Sequence, residues 1–524
     1  MTSKYSYGDE PEYHQHLSPA LSHTSNSSIS TLTDNDHLAS LLTGQQVPAR
    51  TSPRRLRKWC KQGLRGIRPN RSRGCSRRTH LRNFVCVSYS FFTLIVLLSV
   101  IAFTFFPSYT HLPPHYAALR DRAKNSEGPG AGNPQQQKVF IAASLSDPEG
   151  RLASGAWANN VLQLIHLLGP ENTYLSIYEN DSGADGKAAL TNLRDRVPCQ
   201  HSLQYDDHLG LEGLPQVTVP DGSKRVKRIA YLAEVRNRAL TPLNTAHILY
   251  DKVLYLNDVV FDPIDALQLL FSTNQNAFGQ ADYRAACAVD FINPWKFYDT
   301  FATRDAGGYR MGVPFFPWFA HSGDSRSHAD VVANKDAVRV RSCWGGMVAY
   351  DARFFQPQPE AAFVPETAAS ESPSNITGPY RFRAESDMFW DASECCLIQA
   401  DIQSPDVDNT GIYMNPYVRV AYGSKTLAWL WFTRRFERLY PPIHFLVDIM
   451  VSMPSYNPRR EERAWDTVGE TIWVPDPSSP FGGSFQNVTR TASHSGFCGR
   501  PKLPVMKERI EPGEKYYEFV PIPS

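Results

Sequence analysis

The feature that most constrains this chain is an uncharged apolar stretch of 23 residues, from Phe84 to Phe106. As an α-helix rising about 1.5 Å per residue, it is long enough to cross the hydrocarbon layer of a bilayer, about 30 Å thick. It begins far from the N-terminus and is longer than the core of a signal peptide, so we predict an uncleaved transmembrane anchor. A helix buried in a protein core is the alternative interpretation.

The charges around this stretch indicate its orientation. Thirteen Arg and Lys residues and no Asp or Glu lie within residues 50–82, whereas the first Arg or Lys after the stretch is Arg120. The positive-inside rule therefore places residues 1–83 in the cytosol and residues 107–524 in the lumen, a single-pass type II topology. A nucleic-acid-binding arm would also be basic, but the position of the run beside the anchor favours a membrane, and no nucleic-acid partner is predicted.

Composition divides the chain into five segments. Residues 1–83 form a polar and then basic cytosolic tail that is expected to be disordered. The anchor, 84–106, is followed by a stem, 107–136, rich in Pro, Gly, Asn and Gln, which would hold a lumenal domain away from the membrane. Residues 137–450 are predicted to be the main folded domain, and residues 451–524 a C-terminal extension.

The main domain alternates apolar strands with amphipathic helices. "KVFIAASL" and "TYLSIY" are continuous apolar runs typical of strands buried on both faces, and "SGAWANNVLQLIHLLG" between them has the periodicity of a helix. This alternation predicts an α/β fold with a mostly parallel central sheet covered by helices on both sides. In such sheets ligands bind beyond the carboxyl ends of the strands, so polar residues at strand ends are candidates for chemistry.

The stretch "VLYLNDVVFD" carries such a strand end. Asn257 and Asp258 interrupt an apolar run, and Asp262 with Pro263 has the pattern that begins a helix, "IDALQLLF". A carboxylate in that place suits Mg²⁺ or Mn²⁺ bound to a diphosphate, because these ions take oxygen ligands and need few of them from the protein. The alternative is that Asp258 is a turn residue.

Two further segments offer contacts to a nucleotide. Asp181 follows the second strand and could accept a hydrogen bond from a base or ribose, or simply form an Asx turn. Arg236 and Asn237 lie in the apolar stripe of a helix predicted over 224–240. A cation on a packed face needs an anion, which would be a nucleotide diphosphate or, alternatively, the partner in a buried salt bridge.

A third group of residues has the chemistry of a sugar-binding site. Carboxylates and a guanidinium can bind hydroxyls, an indole face can stack on sugar C–H groups, and glycines allow close backbone approach. A β-bulge in the core is the alternative reading of the two glycines. The candidates are Asp290, Asp299, Arg304, Trp344, Gly345 and Gly346.

"ESDMFWDASECCLIQAD" reads as a helix with an acidic stripe. Asp387, Asp391 and Glu394 would share one face of it at helical spacing. Like charges in a stripe repel unless they are solvated or face a metal, a cation or a reacting centre. Asp391 and Glu394 are therefore candidate acid/base or nucleophilic residues, and a solvated helix face is the alternative.

Two other patterns leave alternatives open. Six cysteines lie beyond the anchor, where an oxidising lumen would permit disulfides whose pairing the sequence does not reveal. The aromatic and basic stretch 427–453 could pack on the core or lie against a membrane, and packing is the favoured interpretation.

Motifs throughout this domain resemble those of the fungal capsule-associated α-1,3-mannosyltransferase family, of the cryptococcal mannosyltransferase type. They are "EVRNRAL", "LYLNDVVF", "CAVDF", "FYDTFATRDAGG", "SCWGGMVAYD", "SECCLIQAD" and "NPYVRVAYG", in order across about 138–425. The resemblance implies a GT-A-like catalytic domain, GDP-mannose as donor, Mn²⁺ or Mg²⁺, retention of anomeric configuration and a Golgi membrane location. It makes Asp258 the metal-site residue, in place of a strict Asp-x-Asp.

The sequence thus predicts a lumenal enzyme that adds α-1,3-linked mannose to a mannose-containing glycan. Asp391 or Glu394 would act on the anomeric carbon or the acceptor hydroxyl. Two other classes remain open: a glycoside hydrolase that uses Asp391 with another carboxylate and needs neither nucleotide nor metal, and a non-catalytic glycan-binding protein on a transferase-like fold.

Overall fold

The computed structural model describes residues 76–106, 108–357, 379–406, 408–476, 478–479, 482–507 and 515–523. Residues 1–75, which hold most of the predicted cytosolic tail, lie outside the described residues. The described residues fall into two compact units, one that holds residues 76–106 and one that begins at Ser108.

The N-terminal unit is a single long helix, α1, at Ser76–Phe105. Its segment Arg82–Phe105 has a mean hydropathy of 2.4 over its most apolar window, and none of that window is buried by protein. A buried core helix would have its apolar side chains covered. The length and exposure of α1 therefore agree with the predicted anchor.

The second unit is built on strands. They are, in chain order, β1 Val139–Leu145, β2 Thr173–Asn180, β3 Gln200–Asp206, β4 Gln216–Thr218, β5 Lys224–Val226, β6 Lys252–Leu256, β7 Ala285–Asn293, β8 Lys296–Phe297, β9 Arg304–Asp305, β10 Val338–Ser342, β11 Met347–Asp351, β12 Trp390–Ala392, β13 Ile412–Ala421, β14 Thr467–Pro475, β15 Gly483–Thr491, β16 Gly499–Pro501, β17 Pro504–Met506 and β18 Tyr517–Phe519.

Ten of these strands form one mixed sheet in the order β3-β2-β1-β6-β11-β7-β13-β10-β9, with β8 paired to β7. Strands β3, β2, β1 and β6 run parallel, β11 is reversed between β6 and β7, and β13 runs parallel to β7. Six core strands thus share one direction. The α/β class and the mostly parallel core expected from the sequence are confirmed.

Helices cover both faces of the sheet, as continuous apolar strands require. Alternate residues of β1 enter different cores: Phe140 lies in one hydrophobic cluster, and Val139 and Ile141 lie in the other. The helices are α2 Pro114–Asn125, α3 Arg151–Ser154, α4 Ala156–Leu168, α5 Gly183–Arg194, α6 Arg228–Leu240, α7 Pro263–Phe271, α8 Ser325–Val332, α9 Glu394–Ile402, α10 Ser424–Thr433 and α11 Pro441–Met450.

Two segment predictions differ from the structure. Within the predicted stem, α2 packs on the sheet unit, where Tyr116 is fully buried and its hydroxyl accepts a 2.7 Å hydrogen bond from Asn415. The C-terminal extension also belongs to this unit, because β16 pairs with β12 and Val505 bridges to Lys227. Both segments escaped the sequence because their partners lie hundreds of residues away along the chain.

The predicted acidic helix is shorter than the sequence indicates. Its first helical residue is Glu394, because Ser393 caps it by accepting a hydrogen bond from the Cys395 N–H. Asp391 instead lies in β12, opposite Arg500 of β16. The prediction of an acidic stripe on one helix face is therefore wrong, because strand pairing with a distant segment overrides the local helical periodicity.

Two disulfides form among the described cysteines. Cys287 is joined to Cys343, and Cys396 to Cys498 across 102 residues of sequence. Cys395, the neighbour of Cys396, is buried as a free thiol.

We expect Cys498→Ser to lower the free energy of unfolding by about 2–5 kcal/mol, because the bridge closes a long loop. Chemical denaturation of the full-length protein in detergent would measure this, with Cys199→Ala at a free cysteine as control. Non-reducing peptide mapping should link the peptides that contain Cys396 and Cys498. A disulfide between Cys395 and either Cys396 or Cys498 would contradict the structure.

Candidate functional site

Polar residues gather where the parallel strands end. Asp147 follows β1, Glu179 closes β2 with Asp181 just beyond it, and Asn257 with Asp258 follows β6. Because β2, β1 and β6 are neighbours in parallel register, these residues share one edge of the sheet. The structure thus confirms that Asn257 and Asp258 stand at a strand end, at the edge where α/β sheets bind ligands.

Asp258 has a carboxylate oxygen at this edge without a hydrogen-bond partner among the residues described. Its Oδ1 is buried and makes no hydrogen bond within the described part of the chain, and neither does the neighbouring Asn257 Nδ2. Burial raises the pKa of Asp258 to about 7, although the charge of Arg236 acts to lower it. A buried carboxylate oxygen without a partner suits a cation.

The protein supplies few ligands for such a cation. Among the described residues, no group of three or more His, Cys, Asp or Glu side chains could hold a metal ion. Mg²⁺ and Mn²⁺ commonly take one or two carboxylates, with the remaining ligands from water and substrate phosphates. Asp258 therefore fits an ion that arrives with a diphosphate, and does not fit a preformed metal centre.

Arg236 is engaged inside the protein. Its Nε donates to Glu394 Oε1 at 2.8 Å, its Nη1 donates to Asn257 Oδ1 at 3.2 Å, and its guanidinium lies 4.2 Å from the Trp344 ring centre. The side chains of Arg236 and Glu394 are only 5% and 4% exposed. The structure thus forms the buried salt bridge that the sequence left as the alternative to a phosphate contact.

This salt bridge also occupies Glu394. Predicted as a catalytic carboxylate, it accepts from Arg236 and, at 3.4 Å, from the Cys395 thiol. Both contacts are made to the same oxygen, Oε1. The structure gives Glu394 a structural partner in place of the predicted free carboxylate.

Asn237 is likewise occupied elsewhere. Its Nδ2 donates to the Phe382 carbonyl at 2.9 Å, and its Oδ1 accepts from the Phe382 N–H at 2.8 Å. Both polar atoms of the amide thus clamp one residue of the backbone. This structural role replaces the predicted phosphate contact.

Arg304 is a second guanidinium that the structure buries. It donates to the carbonyls of Phe497 at 2.9 Å and Cys498 at 2.6 Å, and to those of Phe301 and Thr303. Burial lowers its pKa to about 9. Arg304 therefore ties the C-terminal segment to the domain and does not face a sugar, contrary to the prediction.

Trp344, Gly345 and Gly346 also belong to the core. Trp344 is buried under Arg236. Gly345 and Gly346 have φ of +56° and +67°, and a Cβ on Gly345 would lie 1.9 Å from the Ala288 carbonyl oxygen. The glycines let the chain turn tightly against β7 before β11. The two glycines thus form a turn within the core, where the sequence left a β-bulge open as the alternative. The predicted contact with a sugar has no support here.

Asp290 and Asp299 remain beside Asp258. Asp290 is fully buried and accepts from the Asp299 N–H at 3.1 Å and the Tyr422 hydroxyl at 3.0 Å. The pKa of Tyr298 is raised by burial and by the charges of Asp290, Asp258 and Asp299, which places these groups in one neighbourhood. The structure therefore brings the predicted metal residue together with two of the predicted sugar-binding residues.

Asp391 borders the same region. Its Oδ2 accepts from Arg500 Nε at 3.3 Å, and its buried Oδ1 has no hydrogen bond within the described residues. Burial raises the pKa of Asp391, while Arg500, Arg228 and Lys227 act to lower it. Asp391 thus keeps one oxygen available, unlike Glu394.

The sequence missed Arg228, the first residue of α6. Its charge acts on Tyr298 and Asp391, and its Nε makes no hydrogen bond within the described residues. Its guanidinium lies over the ring of Tyr517, 4.8 Å from the ring centre. The only sequence signal was a basic pair before a helix, "KRIAYL", which also describes an ordinary surface helix.

Asp181 lies just beyond the end of β2 in a left-handed conformation with φ of +59°. Its Oδ1 contacts His208 Nδ1 at 2.5 Å, and its Oδ2 accepts from Tyr231. The sequence missed Glu179, which is buried just before it and whose pKa burial raises to about 8. The sequence predicted a strand at "TYLSIY" that ends before Glu179, whereas β2 continues to Asn180 and buries this carboxylate.

The sequence matches one known family over this whole region. The profile described as Cryptococcal mannosyltransferase 1 matches residues 138–401, half of the chain. No curated protein is similar enough in sequence to match.

Solved glycosyltransferases show weak structural likeness to the chain. A mannosyltransferase from Pyrobaculum calidifontis, in complex with GDP-Man and Mn²⁺, is 10% identical, with 68% of this chain and 88% of that chain covered and a TM-score of 0.31. For glucosyl-3-phosphoglycerate synthase from Mycobacterium tuberculosis, with Mn²⁺, UDP and phosphoglyceric acid, the values are 11%, 75%, 95% and 0.28. For mannosyl-3-phosphoglycerate synthase from Rubrobacter xylanophilus they are 13%, 74%, 94% and 0.27. Likenesses this low carry no inference about activity.

We expect Asp290→Asn to flatten the pH dependence of stability. Burial and Asp299 raise the pKa of Asp290 in the folded protein above its usual value. Between about pH 4 and neutrality the folded state then holds a proton that the unfolded state has lost, so stability falls as pH rises. Relative to wild type, the variant should gain on the order of 1–3 kcal/mol between pH 5 and 8.

Denaturant titrations across that pH range would measure this difference, with Asp262→Asn at a helix cap as the matched control. A constant difference between Asp290→Asn and wild type at all pH values would show that Asp290 is ionised in the folded protein.

Proposed function

The chain belongs to the cryptococcal mannosyltransferase 1 family, and on that premise we propose that it transfers mannose from GDP-mannose to a mannose-containing glycan. The product linkage is α-1,3, and the α configuration of the donor is retained. The enzyme uses Mn²⁺ or Mg²⁺. Its anchor places the catalytic unit in the Golgi lumen, with the N-terminus in the cytosol.

One observation carries the proposal: the buried, unpartnered oxygen of Asp258 at the edge where the parallel strands end. A hydrolase would need no such site, because its two carboxylates act directly on the glycosidic bond. A glycan-binding protein would gain nothing from a buried carboxylate without a partner, which lowers stability. A nucleotide sugar with its divalent ion supplies the missing positive charge.

The donor would lie along this edge of the sheet. Asp181 and Glu179 face the nucleoside, Asp258 and Asn257 lie at the diphosphate, and Arg228 takes the phosphate role that the sequence gave to Arg236. Arg228 begins α6, so the positive end of the helix dipole adds to its charge. When bound, the divalent ion neutralises charge on the departing diphosphate.

The acceptor side lies beyond it. Asp290 and Asp299 are near enough to Asp258 to bind the transferred sugar or the acceptor hydroxyl. Asp391 is the better of the two predicted catalytic carboxylates, because its Oδ1 is unpartnered whereas Glu394 holds Arg236. Burial raises the pKa of Asp391, which suits a group that accepts a proton from the acceptor hydroxyl.

We expect Asp258→Asn to reduce mannosyl transfer on the order of 100-fold or more, because the charge that faces the ion is lost. The measurement uses the full-length protein in detergent with GDP-mannose, a mannobiose acceptor and Mn²⁺. Without acceptor, GDP with Mn²⁺ should raise the melting temperature of wild type but not of Asp258→Asn.

Asp262→Asn is the matched control, since asparagine caps helices as well as aspartate and both assays should match wild type. Product that forms without Mn²⁺, or mannose released from a glycan without GDP-mannose, would contradict the proposal. The second result would favour the hydrolase.

Substitution by Met should affect donor binding at Arg228 and folding stability at Arg236. Arg228→Met should lower kcat/KM about 10–100-fold through the donor KM while the protein stays folded, because a diphosphate contact is lost. Arg236→Met should lower the free energy of unfolding by about 3–5 kcal/mol, because it leaves Glu394 buried without a partner.

Arg238→Met serves as control, since Arg238 pairs with Asp206 and Glu234 near the surface and its loss should change stability by less than about 1 kcal/mol. A normal donor KM in Arg228→Met would remove Arg228 from the proposed site.

A further inference from the structure

Helix α11 has the opposite distribution of polar and apolar residues from an ordinary surface helix. Its polar residues face the protein: His444 Nε2 lies 3.2 Å from the Val313 carbonyl oxygen, and Asp448 Oδ1 accepts from the Val313 N–H at 2.8 Å. His444 Nδ1 lies 3.0 Å from Asp448 Oδ2, and both side chains are buried. The polar face is therefore fully used inside the protein.

The opposite side of α11, with part of α10, presents apolar side chains outward. We call these the exposed apolar face, and their exposed fractions lie between 44% and 79%. A helix that faces water has the reverse arrangement, with polar residues outward. The sequence favoured packing of this stretch on the core, and the structure differs for these residues. They are Trp429, Trp431, Ile443, Phe445, Leu446, Ile449 and Met450.

The stretch 427–453 exposes no acidic side chain. Its two acidic residues are both buried: Glu437 pairs with Arg419 at 2.6 Å, and Asp448 faces Val313. Lys425 is exposed at the start of α10, and the Arg435 guanidinium lies over the Trp431 ring. Aromatic and basic residues together, without exposed acids, are typical of surfaces that bind the headgroup region of a bilayer.

The chain enters this unit beside the same residues. The Ser108 N–H donates to the Arg434 carbonyl at 3.3 Å, and Arg434 Nη1 donates to the Tyr109 carbonyl at 3.1 Å. Only two residues separate Ser108 from the end of α1 at Phe105. Such a link reaches at most about 10 Å.

We propose that the exposed apolar face lies in the headgroup region of the membrane that the anchor crosses, so that the catalytic unit sits on the bilayer and is not held off by a stem. The proposal rests on the anchor in the proposed function. Tyr116 of α2 is fully buried, so part of the segment predicted to be a stem is folded into the catalytic unit.

The test uses tryptophan fluorescence in lipid vesicles. The chain has 10 Trp residues, none in the apolar stretch Phe84–Phe106, so the difference between a variant and wild type reports the substituted Trp residues. Full-length protein is reconstituted into phosphatidylcholine vesicles with or without lipid brominated near the headgroup. The variants are wild type, Trp429→Phe with Trp431→Phe, and Trp465→Phe, whose Trp is 76% exposed on the C-terminal segment.

We expect bromine-dependent quenching to fall about twofold in the Trp429 and Trp431 variant and to stay at the wild-type value in Trp465→Phe. Unchanged quenching in the double variant, with protein that still floats with the vesicles, overturns the proposal while the anchor stands. That result would also follow if a second copy of the chain or the domain core covered the face. Protein that does not float overturns both the anchor and the docked face, and transferase activity is measured separately.

Discussion

The buried ion pair between Arg236 and Glu394 is the interaction on which the site depends. It joins α6 to α9, and through Asn257 it reaches the residue before Asp258. Removing either charge would leave the other buried and unpaired in a medium of low dielectric constant. The pair therefore positions three distant segments at one edge of the sheet, and the guanidinium that the sequence assigned to substrate is used to build the site.

Acidic residues then crowd that edge without enough protein cations to balance them. Asp258, Asp290 and Asp299 all have a raised pKa, and burial is the first cause in each case. A protein surface of this kind is costly when empty. A negatively charged ligand would be stable beside these carboxylates only with accompanying cations, as in the proposed pairing of a nucleotide diphosphate with a divalent ion.

The sequence predicted what local patterns determine. Continuous apolar runs located the strands, and Asp262 was correctly read as a helix cap, since its Oδ1 accepts from the Ile264 N–H. The sequence singled out Arg236 and missed Arg228, because only a partner 158 residues away shows that Arg236 is used inside the protein. Asp391 was misplaced for the same reason: its strand exists only because β16 pairs with it.

The pairing of Asp391 with Arg500 has a consequence for biosynthesis. The family match ends at residue 401, yet the segment around Cys498 completes the surroundings of Asp391 and is fastened by the bridge to Cys396. The surroundings of Asp391 therefore cannot form until Arg500, 109 residues further along the chain, has been synthesised. A chain that stops before Cys498 would lack both the bridge to Cys396 and the strand that pairs with β12.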